Sequence, residues 1–184
     1  MKERKETIDI VRANIVSMLI MLVTAVVFYG IYFLVWGFGD ADAVDAAIRS
    51  LPISGLKFLG AMVVGVVVHE LIHGITWACF AKQGFKSIRF GVMWKYLTPY
   101  CHCSESLKVR HYAIGGLMPL VVLGIVPAII AIPLKSFFWL TFGVIFIAAA
   151  AGDIMVCWRI RKENPENMIL DHPTEAGYLV YEED

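Results

Sequence analysis

His69-Glu70-Leu71-Ile72-His73-Gly74 lies inside an apolar run, with Phe58-Leu59-Gly60-Ala61-Met62-Val63-Val64-Gly65-Val66-Val67-Val68 before it and Ile75, Trp77, Ala78, Cys79 and Phe80 after it. A run of this length reads as a membrane-crossing helix. Residues four apart share a helix face, so the imidazoles of His69 and His73 leave one side about one turn apart. At that separation two nitrogens can hold one Zn²⁺ at about 2.0–2.1 Å. Glu70 points about 100° around the helix, where it can take a proton from a water whose pKa the metal lowers to roughly 7. The competing reading is a polar triplet that hydrogen-bonds helix to helix. Near mid-membrane each ionisable side chain costs at least about 2.5 kcal/mol unless it is paired or metal-bound, and the metal reading is preferred.

The rest of the chain suits a bilayer. Of its 184 residues, 59% are hydrophobic, and the mean hydropathy is +0.70, more apolar surface than one soluble core of this size can bury. A formal net charge of zero and the lack of a large basic cluster argue against a nucleic-acid partner. Cys79, Cys101, Cys103 and Cys157 show no secreted disulfide framework and read as free thiols.

Outward from the motif, the chain divides into a membrane domain, residues 1–158, and a tail, residues 159–184. Four spans are expected, at about 15–36, 57–81, 112–134 and 137–158. A positively charged head precedes the first. An acidic loop with one short interfacial helix joins the first two. Residues 82–111 read as a hairpin-like loop, because 85–92 alternates partly with a period of two and 96–103 looks extended. Pro99 would confine its strand to an edge. Gly115, Gly116, Gly124, Pro119, Pro127 and Pro133 suggest a kinked, closely packed third span. The tail reads as a solvated appendage with at most one strand around Tyr178-Leu179-Val180-Tyr181. The fold class is therefore an all-α polytopic membrane protein with a small hairpin.

Basic residues set the orientation. Segments 1–13, 82–111 and 159–184 hold 13 of the 16 Lys and Arg; the opposite side holds Arg49, Lys57 and Lys135. Both termini and the hairpin are expected in the cytosol, in a bacterial cytoplasmic membrane.

Several motifs together carry a resemblance: His69-Glu70-x-x-His73-Gly74; Tyr100-Cys101-His102 with Leu107-Lys108-Val109-Arg110-His111-Tyr112; Gly152-Asp153-Ile154; and Asp171-His172-Pro173-x-x-x-Gly177. The chain resembles intramembrane zinc metalloproteases of the site-2 protease class, and more closely a group of small bacterial membrane proteins known as putative zincin peptidases. That resemblance implies Zn²⁺ as cofactor, His69, His73 and Asp153 as its ligands, and Glu70 as general base. It implies a membrane-protein or peptide substrate. Counted from the expected span ends at Ala81 and Trp158, His73 and Asp153 lie about 12 and 8 Å deep, within reach of one ion.

Other polar residues read differently. On a strand, Cys101 and Cys103 face one way and His102 the other, so a soft metal site there is disfavoured against a structural or substrate-lining role. His111 reads as interfacial, His172 as a turn residue and Glu105 as a solvated loop charge. The expected activity is hydrolysis of peptide bonds in or near transmembrane segments. Its rivals are a non-catalytic zinc-binding scaffold and a metal-ion carrier, the latter weakened because the first and third spans hold no ionisable relay.

Overall fold

The computed structural model describes residues 2–7, 9–39, 41–94, 98–171 and 177–182. It is mostly helical. Helix α1 spans Ile10–Trp36 and α2 spans Ala41–Ala78, with the motif in its last third. A 3₁₀ turn at Gly84–Ser87 leads to strands β2, Ile88–Met93, and β3, Thr98–Cys103, and then to β4, Leu107–Lys108. Helix α3, Val109–Pro119, continues through a π turn, Leu120–Ile125, into α4, Val126–Ala131. Helices α5, Phe137–Ala149, and α6, Ala151–Ile160, follow. Three helices are long and apolar enough to cross a membrane, Val11–Trp36, Ser54–Ala78 and Val109–Ala131, and α5 with α6 makes a fourth if that bent pair is one span.

Three expectations need correcting. The acidic stretch before the second span is not a loop with a separate helix: α2 is continuous from Ala41. The fourth span is broken, with α6 turning 44° from α5 within the small-residue run Ala148-Ala149-Ala150-Ala151-Gly152, where no bulky side chain resists the bend. The chain is also not purely helical. β1, Lys2–Thr7, pairs antiparallel with β6, Gly177–Glu182; β6 pairs with β5, Met168–Asp171; and β5 pairs with β4.

The tail is thus part of a four-stranded sheet rather than an appendage. Along it, Ile169, Asp171, Tyr178 and Val180 are buried at alternate positions, the period-two pattern of a half-buried strand. Ile169, Tyr178 and Val180 share a core with Trp77, Leu107, Val109, Tyr112 and Ile160, so the sheet packs on the ends of α2, α3 and α6. The head is almost all charged, and hydropathy hides its strand. It survives as an edge, where charged residues deter further pairing. Arg4 bonds Glu163, and Arg159 donates to the Thr7 carbonyl at 2.7 Å.

The hairpin forms as expected, in the register Ile88↔Cys103 to Met93↔Thr98; its tip, residues 95–97, lies outside the described residues. Ser104 N–H donates to the Ser87 carbonyl at 2.8 Å. In an antiparallel ladder bonded pairs alternate, so the N–H groups of Cys101 and Cys103 face away from β2. Pro99 occupies the same kind of position, where its missing N–H costs no ladder bond. Glu105 is not a free loop charge. Its carboxylate accepts from Lys82 N–H at 2.8 Å, Gln83 N–H at 3.1 Å and the Ser87 hydroxyl at 2.5 Å, tying the end of α2 to the hairpin. The Ser87 hydroxyl leads in holding its carboxyl below the usual range.

Candidate metal centre

His69, His73 and Trp77 follow one another at four-residue intervals along α2 and turn toward α3 and α6. Close approach is possible because the facing residues are small. A Cβ on Gly115 would lie 2.1 Å from the Trp77 ring, and one on Gly65 would lie 2.5 Å from Phe146. Trp77 Nε1 donates to the Tyr112 carbonyl at 3.1 Å, and its ring stacks on Tyr112 on one side and on His73 on the other, with centroids at 5.2 and 5.0 Å.

His73 is buried, and its Nδ1 lies 2.9 Å from the Gly115 carbonyl. A carbonyl only accepts, so Nδ1 carries a proton, and in the neutral ring Nε2 keeps the lone pair. That nitrogen is 3.2 Å from His69 Nε2 and 3.5 Å from Asp153 Oδ1, while His69 Nε2 is 3.3 Å from Asp153 Oδ2. Asp153 sits in the first turn of α6, just past the bend, which carries its carboxylate to α2.

These separations test whether the donors suit an ion. Tetrahedral zinc with bonds of about 2.05 Å sets its ligand atoms about 3.3 Å apart. The two imidazole nitrogens, 3.2 Å apart, match that spacing; they lie 3.3 and 3.5 Å from different oxygens of Asp153, and one donor atom from each of the three residues falls within 4.8 Å of the others. Two neutral imidazole nitrogens and one carboxylate are a zinc-type donor set that leaves a fourth position open. Among the described residues, no other group of three or more His, Cys, Asp and Glu side chains is gathered closely enough to hold an ion.

Glu70 is half-buried beside this triangle, and its carboxylate accepts a hydrogen bond from the Cys101 backbone on β3. The outward edge of the hairpin therefore lies against the motif. Cys101 and Cys103 do not join His102 in a second site. Burial leads in pushing both thiols up, with the Glu70 charge adding to the rise at Cys101, and Cys103 is raised to about 11. All four cysteines are free.

His102 Nδ1 lies 3.7 Å from Asp171 Oδ2. His111 stacks on Phe80 with ring centroids 4.2 Å apart. His172 lies outside the described residues.

Asp171 is the residue whose place the sequence hid. It is buried, accepts from the Cys103 N–H at 2.9 Å, and receives a hydrogen bond from the Tyr112 hydroxyl. Burial pushes its carboxyl up, with those two donors pulling the other way. It joins the tail sheet, the hairpin and α3, and through Tyr112 and Trp77 it stands behind His73. A buried carboxylate needs partners, but those partners are 59 and 68 residues away in the chain, beyond any local pattern.

Two histidines one turn apart, a carboxylate from another helix and a glutamate beside them are the donor cluster that a zincin uses. The family model described as "Putative zincin peptidase" matches residues 62–168, more than half of the chain, and the chain belongs to that family. Membership implies zinc and a metallopeptidase activity. No curated protein and no solved structure matches the chain.

Proposed function

We propose that this protein is a zinc-dependent intramembrane protease, hydrolysing peptide bonds in or near transmembrane segments. The observation that carries the reading is the His69–His73–Asp153 triangle with Glu70 beside it, on helices apolar enough to lie in a bilayer. His69, His73 and Asp153 are the ligands. When bound, zinc supplies the Lewis acid that polarises the scissile carbonyl and acidifies the attacking water.

Glu70 takes the proton from that water as its oxygen bonds to the carbonyl carbon, and returns it to the amide nitrogen as the C–N bond breaks. An extended substrate is expected to pair with the free edge of the hairpin, whose other strand carries Cys101 beside Glu70. Helical substrate must unwind to do this, because only an extended chain offers free backbone groups. This reading is of the site-2 protease kind.

The sheet supports four crossings. β1, β4, β5 and β6 are hydrogen-bonded neighbours, so both terminal strands and the segment before α3 share one side. Crossings must then come in pairs, α1 with α2 and α3–α4 with α5–α6, and the three membrane-length helices favour four. The basic-residue asymmetry favours the cytosol for that side.

The test is Glu70→Gln in purified protein, assayed for bound zinc and for cleavage of a membrane-protein segment. Zinc is expected to stay near wild type while cleavage falls about 10²–10⁴-fold, as for loss of one general base. Full activity in Glu70→Gln would refute the protease reading and favour a zinc-binding scaffold.

A further inference from the structure

The Gly115 carbonyl that orients His73 is available for a reason in the sequence. In an α-helix the carbonyl of residue i accepts the N–H of residue i+4. The residue four beyond Gly115 is Pro119, which has no N–H. Its ring also crowds the carbonyl four residues back and tilts it off the helix axis. The next N–H along the chain, from Leu120, bonds the Leu117 carbonyl instead. Proline therefore leaves one acceptor on the buried face of α3 without its usual helical partner, and His73 Nδ1 takes it at 2.9 Å.

We propose that Pro119 is a positioning residue for the metal site: by vacating the Gly115 carbonyl it holds His73 in the Nδ1–H tautomer with Nε2 aimed at His69 and Asp153. It acts across the α2–α3 interface through one carbonyl, and Gly115 is the residue at which α3 comes near enough for that carbonyl to be reached. Partners of this kind, which donate to or accept from the far nitrogen of a ligand histidine, fix its ring and raise its basicity. The proposal rests on the reading of His73 as a ligand.

The test restores the missing N–H. Pro119→Ala does so in a good helix former, and Pro119→Val does so with more of the proline volume kept, in case the alanine variant loses its fold. Pro127→Ala, in the same span with no histidine on its vacated carbonyl, is the control. Two readouts are taken on full-length protein in detergent: the ¹⁵N signals of His73 without metal, and the affinity for Co²⁺.

Wild type and Pro127→Ala are expected to show a single Nδ1–H tautomer at His73. The Pro119 variants are expected to show mixed tautomers and about 10–100-fold weaker Co²⁺ binding. A wild-type His73 protonated at Nε2, or Pro119 variants that match wild type in both readouts, would overturn the proposal. His73→Ala separates the two failures. If it binds Co²⁺ as wild type does, the ligand reading falls, while the tautomer result still judges the role of Pro119.

Discussion

Replacing Asp171 tests how firmly the terminal sheet is bound to the membrane helices. In Asp171→Ala the Cys103 N–H and the Tyr112 hydroxyl both lose their acceptor in a buried setting. Each unsatisfied buried group costs about 1–3 kcal/mol, so the substitution should cost about 2–6 kcal/mol. Asp171→Asn keeps one oxygen, enough for the Tyr112 hydroxyl, but turns an amide donor toward the Cys103 N–H and should cost about 1–3 kcal/mol.

Thermal unfolding in detergent reads this, at roughly 2–4 °C per kcal/mol for a chain of this length, and alanine should fall further than asparagine. Hydrogen exchange localises the effect: the amides of β5, β6 and Cys103 should lose protection before those of α5. An Asp171→Ala protein with wild-type melting and wild-type exchange at Cys103 would refute the account of Asp171 as the joint between sheet, hairpin and α3.

Asp153→Ala should remove most of the bound zinc, whereas His102→Ala should leave it near wild type, as metal analysis of the purified variants will show. Reporter fusions after residues 45 and 184 should lie on opposite sides of the membrane; finding both on one side would rule out four crossings. The Glu105 contacts predict an acid-dependent loss of stability. The folded carboxyl lies below its ordinary value of 4.5, so its contribution is complete above that value and is lost as pH falls through the lower folded one. Glu105→Gln should remove that part of the acid transition in a pH series of unfolding curves.

Much of the candidate centre is legible in the chain itself. His69, Glu70 and His73 are close in sequence, and helical periodicity alone puts both imidazoles on one face. Long apolar runs announce the helices, because a bilayer leaves few alternatives for an unpaired backbone. Asp153 is the one charge in its expected span, and the resemblance implies it as the third ligand. Its meeting with the histidines depends on the 44° break between α5 and α6, which the run of alanines permits and packing decides.

The rest belongs to tertiary structure. Lys2–Thr7 has no hydrophobic pattern and becomes a strand because β6 offers it an edge. Asp171 sits in the polar tail with no partner in its own stretch until Cys103 and Tyr112 close on it. Pro119 looks like a kink until α2 brings His73 to the carbonyl that it leaves open. Periodicity and membrane solvation act over a few neighbouring residues and can be read along the chain. A buried polar group is satisfied by whatever the fold carries to it, and only the assembled helices and sheet determine that partner.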